Sequence, residues 1–368
     1  MAKLEIEGLC KGFDFPVLDR LDLAVDEGEF FVVVGPSGIG KTTLLRCIAG
    51  LEVPDAGRVV IGGMDVTRVP PYRRNVAMTF EGYALYPHLT VFENIASPLR
   101  ARRADRITVE ERVTEVARML RIDALLDRKP GEISGGQKQR TALGRTLVAE
   151  PDVYLLDEPI SHLDAKIRHD LRQGFHHLEA LREVVTVYVT HDYTEALSLG
   201  DRIGVMGKGG LVQIGTAHDV FERPRTLFVA QQLGDPSINV LSCRLAMRDG
   251  ALYSECLETD FAFAVAEEHA RGLNDGGVST VTVGIRPQHL TALRDGEDAD
   301  GRVLTEAEVE LFEPLGSVGV LIARAGGSLL TVLTQPEEGH RPGHRLRLAL
   351  DTASFHYFDA ASGANLLL

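Results

Sequence analysis

Short apolar runs alternate with stretches of helical periodicity over the first 235 residues. Phe30 to Val34, Val153 to Leu156 and Val184 to Val189 are strand-sized and almost continuously apolar. Lys41 to Ala49 has helical spacing and meets Gly50, the residue type that most often ends a helix. Because continuous rather than alternating apolar strands are typical of a sheet covered on both faces, this region predicts an α/β domain.

The pattern changes beyond Pro236. Short apolar runs recur between Gly, Asp and Pro residues, as in Thr280 to Ile285, Val318 to Ala323 and Leu329 to Leu333. Arg345 to Leu348 alternates polar and apolar residues, as a half-exposed strand does. We therefore predict a small all-β barrel or sandwich here, and two domains at residues 1–235 and 236–368.

Composition excludes several classes of protein. A chain of 368 residues with 44% apolar and 25% charged residues is an ordinary globular chain, long enough for two domains. Its net charge of −14 argues against a sequence-independent grip on nucleic acid or anionic lipid. The 4 cysteines form no C-x-x-C pair, which disfavours a zinc ribbon or disulfide scaffold and favours a reducing cytosol. Neither a secretory signal nor an apolar run of membrane-spanning length is visible.

The strongest motif is the phosphate loop, residues 35–42. Its sequence fits G-x-x-x-x-G-K-[ST] between a predicted strand and a predicted helix, the context that the motif requires. Glycines let backbone N–H groups converge on phosphate oxygens, and the helix N-terminus adds positive potential. Lys41 would neutralise β- and γ-phosphates, and the Thr42 hydroxyl is a hard ligand suited to Mg²⁺. The alternative is a plain glycine-rich turn.

Two carboxylates follow the apolar run that ends at Leu156. Asp157 and Glu158 would stand at the carboxyl end of a buried strand, where ligands bind in open α/β sheets. Asp157 would hold Mg²⁺ directly or through water, and Glu158 would polarise an attacking water. Alone, this pattern fits a surface turn equally well, so its weight depends on the phosphate loop.

A second anion-binding design appears at Ser134-Gly135-Gly136-Gln137, before a predicted helix. One subunit does not need two γ-phosphate cradles, but two subunits facing head-to-tail do. With these motifs the chain resembles the nucleotide-binding subunits of ABC transporters. The resemblance implies an α/β P-loop NTPase fold, ATP and Mg²⁺ as ligands, and a 134–137 segment that closes on the partner's nucleotide.

Further landmarks of that family fall in order along residues 3–235. Phe13 matches the aromatic residue that stacks on adenine, with Phe15 as the alternative stacker. Asp164 matches the acidic residue of the loop that couples the two sites. His191 matches the histidine that senses the γ-phosphate, and the resemblance implies that it is catalytic together with Glu158 and Lys41. The alternative is a structural role, which is more common for a lone histidine. The nucleotide contacts that the resemblance implies are Phe13, Gly35, Pro36, Ser37, Gly38, Ile39, Gly40, Lys41, Thr42, Thr43, Ser134, Gly135, Gly136 and Gln137.

One position departs from the family pattern. Glu81 stands where the family carries a metal-binding glutamine. A carboxylate still ligates Mg²⁺, but it adds negative charge and donates a hydrogen bond only when protonated. We hypothesise that Glu81 binds metal yet changes how the nucleotide state reaches the membrane subunit. The rival interpretation is a weakened site within a heterodimer of two different ATPase subunits.

Aromatic and apolar side chains follow Glu81 in residues 83–89, the aromatic segment. Tyr83, Leu85 and Tyr86 predict a docking surface for a short cytoplasmic helix of a membrane partner, because such anchors favour interface centres. A local core is the alternative. The resemblance implies two transmembrane permease subunits as partners of a homo- or heterodimer of ATPase subunits.

The second half of the chain narrows the resemblance. Residues 223–239, 284–290 and 313–316 resemble the hinge and the OB-like TOBE regulatory domain of carbohydrate importers of the maltose and glycerol-phosphate type. This implies an ATP-hydrolysing subunit, peripheral on the cytoplasmic face of a bacterial membrane. It would energise import of a sugar, polyol, glycerol or glycerol-phosphate-type solute delivered by an external binding protein, with no nucleic-acid partner.

Other functions stay open at this stage. An importer for iron, polyamine or another anion is the first alternative, since the terminal domain type occurs there as well. A binding-only regulatory module with an impaired site is another. A soluble ABC ATPase acting on DNA or ribosomes would need long coiled-coil arms or two cassettes, and the sequence has neither.

Overall fold

The computed structural model of the protein describes residues 2–80, 82–161, 163–177, 181, 183–275, 279–294, 297–300 and 302–368. Contacts divide the chain into two compact units, residues 1–219 and 220–368. Residues 220–235 share contacts with the second unit, since Arg286 donates hydrogen bonds to the carbonyls of Phe221 and Leu233. The division of the chain at residue 235 stays a prediction. In the described part of the chain, the helices are too short or too polar to cross a bilayer.

The first unit is an α/β structure. In chain order its elements are β1 (Ala2–Gly12), β2 (Pro16–Asp26), β3 (Phe30–Val34), α1 (Lys41–Ala49), β4 (Ala56–Ile61), β5 (Met64–Asp65), β6 (Val76–Thr79), α2 (Val91–Ala101), α3 (Arg106–Met119), α4 (Gly135–Leu147), β7 (Val153–Asp157), α5 (Ala165–His177), β8 (Val185–Thr190), α6 (Tyr193–Leu199), β9 (Arg202–Gly207) and β10 (Gly210–Gly215), with α7 (Ala217–Glu222) running across residue 219.

A mostly parallel sheet positions the candidate site. Its 6 strands lie in the order β10-β9-β3-β8-β7-β6, and β3, β7 and β8 are buried along their whole length. Val34 pairs with Thr190, and Asp157 pairs with Val189. The carboxyl ends of these strands are therefore neighbours, and the chain segments that follow them meet at one edge of the sheet. This confirms the predicted α/β architecture.

An antiparallel sheet of 4 strands, in the order β2-β1-β4-β5, completes the first unit. Leu21, Leu23 and Val25 of β2 alternate with exposed residues and enter the same core as β3 and α1. This alternation is typical of a half-exposed strand. The hairpin therefore has no continuous apolar run, the feature from which the other strands of this unit were predicted.

The second unit is mainly β-structure, as predicted. Its elements are α8 (Leu227–Gln232), β11 (Asn239–Arg248), β12 (Ala251–Cys256), β13 (Ala262–Ala264), α9 (Glu267–Asp275), β14 (Thr280–Ile285), β15 (Leu290–Leu293), β16 (Val303–Pro314), β17 (Gly319–Ala325), β18 (Ser328–Thr334), β19 (Arg345–Leu350) and β20 (His356–Asp359). Two antiparallel sheets of 5 strands, β13-β12-β11-β14-β20 and β15-β19-β16-β17-β18, share one hydrophobic core. Helix α9 was not expected from the apolar pattern.

Candidate functional site

The phosphate loop connects β3 to α1 with backbone that only glycine accepts readily. A side chain at Gly35 would place its Cβ 2.6 Å from the carbonyl oxygen of Met206, so the loop needs glycine where it passes β9. Gly40 has φ of 117° and precedes Lys41, where α1 begins without a side-chain cap from any described residue. The N-terminal N–H groups of α1 thus face the loop, an arrangement suited to an anion.

Lys41 and Thr42 point their polar ends into this loop region. The buried Lys41 ammonium donates to the carbonyls of Gly35 at 2.8 Å and Pro36 at 3.0 Å. The Thr42 hydroxyl donates to Oδ1 of the buried Asp157 at 3.1 Å. A hydroxyl and a carboxylate side by side are hard oxygen donors of the kind Mg²⁺ prefers, so the two residues fit the predicted metal.

Glu158 lies in a sharp turn directly after β7. Its φ is 44°, its N–H donates to the Val189 carbonyl at 3.0 Å, and its own carbonyl accepts from Gln139 Nε2 at 3.0 Å. Its Oε1 is 3.0 Å from Nδ1 of His191, which follows β8. The Glu158 side chain is 16% exposed and the His191 side chain 51% exposed, so the carboxylate is held while the imidazole still reaches solvent.

A buried network behind His191 was missed by the sequence analysis. Glu195 of α6 is buried, and its Oε2 accepts from the Tyr188 hydroxyl at 2.7 Å and the Thr190 hydroxyl at 2.8 Å. Thr190 in turn accepts from the N–H of Asp192. Burial raises the pKa of Glu195 above its usual value. This network fixes both neighbours of His191, and an isolated Glu in a helix gives no signal of it.

A cleft of about 560 Å³ brings together Phe13, part of the phosphate loop, Glu158 and His191. At one end are Phe13 and Phe15, which lie at the tip of the β1–β2 hairpin and are 59% and 67% exposed. The ammonium of Lys11 lies 5.2 Å from the centroid of the Phe13 ring, a cation–π contact. The cleft is lined by Phe13, Phe15, Val17, Ser37, Gly38, Gly40, Lys41, Thr42, Thr43, Glu158, Ser161 and His191.

The 134–137 segment lies outside this cleft. Ser134 is the N-cap of α4, accepts from the Gln137 N–H at 3.3 Å, and donates its own N–H to Gln137 Oε1 at 2.8 Å. This capping box holds the segment in a helical start whose Ser134 and Gly135 are exposed. The chain therefore has two separate helix starts of the kind that suits an anion, and only the start of α1 lines the cleft with its own Glu158.

The aromatic segment is tied down by two side chains that the sequence analysis did not single out. Arg145 of α4 donates to the carbonyls of Tyr83 and Ala84, both at positive φ, and its guanidinium lies 5.5 Å from the centroid of the Tyr86 ring. The buried Asn94 amide accepts from the Tyr86 N–H at 2.8 Å and donates to the carbonyls of Tyr86, Leu89 and Thr90.

Tyr86 nevertheless remains 47% exposed, so a ring is presented from a fixed backbone.

Glu81 and His162 lie outside the described residues. Asp164 is exposed and accepts from the Ile167 N–H at 2.9 Å, which caps the start of α5.

Two family models match the chain. A model described as ABC transporter matches residues 18–161, which include the phosphate loop, the 134–137 segment, Asp157 and Glu158. A model of the TOBE domain matches residues 283–358 of the second unit.

Relatives resemble the chain over its whole length. It is 40% identical to the sn-glycerol-3-phosphate import ATP-binding protein of Yersinia enterocolitica, over 100% of this chain and 99% of that protein. It is also 40% identical to the trehalose/maltose import ATP-binding protein of Thermococcus litoralis, over 99% of each. A solved dimeric ATP-binding cassette, in a post-hydrolysis state bound to ADP and Pi, is 30% identical with a TM-score of 0.54, over 58% of this chain and 98% of that cassette.

Proposed function

The chain belongs to the ATP-binding subunits of ABC importers, and on that premise we propose that it energises uptake of a sugar, polyol, glycerol or glycerol-phosphate-type solute. The predicted fold class, a P-loop ATPase domain followed by a TOBE domain, is confirmed by the two family matches. Two relatives are named as import ATP-binding proteins, one for sn-glycerol-3-phosphate and one for trehalose and maltose, and these names support a sugar or glycerol-phosphate-type solute. The proposed location is the cytoplasmic face of a bacterial membrane, against two permease subunits.

The observation that carries the proposed mechanism is the convergence of the phosphate loop, Glu158 and His191 on one cleft. Lys41 and the N–H groups at the start of α1 bind the phosphates of ATP and stabilise charge that develops on the γ-phosphoryl group. The Glu158 carboxylate accepts a proton from the attacking water, and His191 holds the reacting groups in line.

Thr42 and Asp157 would hold Mg²⁺, which supplies charge neutralisation on the phosphate oxygens. In this proposal the 134–137 segment of a second subunit closes the cleft, because the chain's own segment lies outside it. The start of α4 then offers its exposed N–H groups to the γ-phosphate of the partner's ATP. One chain alone lacks half of each site, so an isolated subunit binds nucleotide without efficient turnover.

Cross-linking between differently tagged subunits tests this arrangement without relying on turnover. One subunit carries Ser37→Cys and the other Ser134→Cys, both with Glu158→Gln and with the four native cysteines replaced by serine. A short bis-maleimide should join the two tags when ATP and Mg²⁺ are present, and not without nucleotide. Moving the second cysteine to the exposed Glu111 of α3 provides the control. Cross-links that form within one subunit, or equally without ATP, would contradict the head-to-tail dimer.

The solute class has its own test. The ATPase pair is co-purified with its two permeases in lipid vesicles, and solute-loaded binding protein is added outside. ATP turnover should rise with a binding protein loaded with maltose or glycerol phosphate. If turnover rises with a binding protein loaded with iron or polyamine, and does not rise with maltose or glycerol phosphate, the importer belongs to the alternative class. That outcome would leave the ATPase mechanism intact.

A further inference from the structure

Two cysteines of the second unit face each other across a pair of strands. Cys243 on β11 is directly opposite Cys256 on β12 in the antiparallel register, and their sulfur atoms are 3.5 Å apart. Both are free thiols. Neither residue lines the cleft that holds Glu158 and His191, and the sequence analysis did not single out the pair.

The register places the pair at the closer of the two kinds of antiparallel position. The neighbouring pair, Ser242 and Leu257, is hydrogen-bonded, since the Leu257 N–H donates to the Ser242 carbonyl at 2.9 Å. The Cys256 N–H points the other way and donates to Phe261. Positions alternate along such a ladder, so Cys243 and Cys256 form a non-hydrogen-bonded pair with a Cα separation of about 4.5 Å. That lies within the range that disulfides span, from about 4.4 to 6.8 Å.

The two thiols have different surroundings. Cys243 is fully buried in the core of the unit, whereas Cys256 is partly exposed. The hydrogen bond from Cys243 lowers the pKa of Cys256, and hydrogen bonds with Ser328 and Thr259 act in the same direction while burial opposes them. The same contact and burial raise the pKa of Cys243. Cys256 is thus the thiol that ionises first and the one that solvent reaches.

We propose that Cys243 and Cys256 are a redox modification site that closes reversibly to an intramolecular disulfide when the protein meets hydrogen peroxide. The Cys256 thiolate attacks one peroxide oxygen, an S–O bond forms, the O–O bond breaks, and the released hydroxide takes a proton to leave as water. The sulfur of Cys243 then attacks the sulfenic sulfur of Cys256. An S–S bond forms, the S–O bond breaks, and the Cys243 proton leaves with the oxygen as a second water.

The balance of the reaction is two thiols and one peroxide to one disulfide and two waters. Disulfides that form in a reducing compartment are usually transient, which suits a reversible modification. The cross-link would join β11 to β12 inside the core and hold that hairpin closed. The cross-link forms in the same way whichever solute is imported.

Mass spectrometry of the full-length protein tests the proposal. The Cys10→Ser/Cys47→Ser protein, which keeps only this pair, is treated with hydrogen peroxide, alkylated and digested. The peptides containing Cys243 and Cys256 should appear joined, two hydrogen atoms lighter than their sum and unalkylated, and a dithiol reductant should restore both thiols. The Cys243→Ser/Cys256→Ser protein is the matched control and should show no such species.

A second pair of variants separates the two steps. In Cys243→Ser, Cys256 should accumulate as a sulfenic acid that dimedone traps, whereas in Cys256→Ser the remaining Cys243 should label far more slowly. Circular dichroism and ATP binding of each variant check folding. Separate, alkylated peptides after peroxide treatment, or oxidation of Cys256 straight to sulfinic acid with Cys243 present, would overturn the proposal.

Discussion

The Nδ1 atom of His191 lies 3.0 Å from Oε1 of Glu158. The two residues follow neighbouring parallel strands, and the pairing of Asp157 with Val189 sets their separation. The Glu158 backbone is held at φ of 44° by hydrogen bonds on both of its polar groups. Strained backbone of this kind is retained where surrounding contacts over-determine it, as at reacting groups. The pair is therefore placed by the sheet before nucleotide binds.

Glu158→Gln should abolish turnover while ATP binding persists. The amide keeps the shape of the side chain but accepts no proton, and loss of a general base typically lowers kcat by about 10²–10⁴-fold. ATPase assays on the assembled transporter and nucleotide binding by calorimetry measure the two effects. Glu111→Gln removes the same charge from the exposed face of α3 and should leave both unchanged. Turnover by Glu158→Gln near that of the parent would refute the assigned role.

Phe13→Ala should weaken ATP binding more than Phe15→Ala. Both rings line the cleft, but the contact with Lys11 orients the Phe13 ring. Loss of aromatic stacking on a base costs about 1–3 kcal/mol, which corresponds to a Kd increase of about 5- to 150-fold. Titration of a fluorescent ATP analogue into Glu158→Gln protein measures this. If Phe15→Ala gives the larger loss, Phe15 is the stacking residue instead.

Glu81→Gln should change the relation between ATP turnover and transport. The family resemblance implies that position 81 meets the metal and the γ-phosphate, where glutamine would remove a negative charge and add a hydrogen-bond donor. We therefore expect faster turnover or more solute moved per ATP. Both rates are measured in vesicles containing the complete importer. Identical rates in parent and variant would eliminate the hypothesis, and a heterodimeric ATPase pair would favour the weakened-site interpretation.

Glu195 should make the first unit less stable as pH rises. Burial raises the pKa of Glu195 in the folded state above its ordinary value of 4.5. From pH 4.5 up to the raised pKa the folded chain therefore binds more protons than the unfolded chain, and stability falls with increasing pH. Glu195→Gln keeps an acceptor for Tyr188 and Thr190 and should remove this slope.

Glu195→Ala should cost about 1–3 kcal/mol for each hydroxyl left unpaired. Calorimetry from pH 4.5 upward measures both variants. A parental pH slope retained in Glu195→Gln would assign the slope to other groups.

His356 should make the second unit sensitive to acid. Burial lowers its pKa to about 4, and the nearby positive charges of Arg286, His289 and His269 act in the same direction. Its unfolded value is 6.5, so protons bind the unfolded chain preferentially between pH 6.5 and about 4, and up to about 3 kcal/mol is lost across that window.

His356→Gln should lose part of this acid sensitivity, whereas the exposed His344→Gln should keep it. Thermal unfolding at intervals between pH 7.5 and 4.5 provides the comparison. Equal acid sensitivity of the parent and His356→Gln would show that other groups cause it.

Local signals in the sequence were sufficient for the elements that carry the site. The run Phe30 to Val34 and the helix ending at Gly50 are found as predicted, because burial on both faces and a left-handed glycine leave direct traces in the sequence. Thr280 to Ile285 is likewise the strand predicted. Motifs with fixed spacing transfer to structure because their geometry is local.

Long-range contacts left no such trace. Glu195 accepts hydrogen bonds from two hydroxyls of β8, and Asn94 accepts one from the loop that precedes its helix. The sequence around Glu195 or Asn94 contains no pattern from which these partners could be predicted. The strand order of the second unit depends on pairings between distant segments, which apolar runs cannot rank. The facing of Cys243 and Cys256 follows from register alone, and register is invisible until the β11–β12 turn is known.

Ser134 caps the start of helix α4, and five residues later Gln139 of that helix donates to the carbonyl of Glu158. That stretch of helix is about 7.5 Å long and has little freedom to bend. In the proposed dimer, a displacement of Ser134 caused by the partner's nucleotide would also displace the Glu158 turn of the same subunit. Nucleotide bound by one subunit would then affect the position of Glu158 in the other subunit through the rigid start of α4. This gives a structural reason for the two hydrolytic events to be correlated.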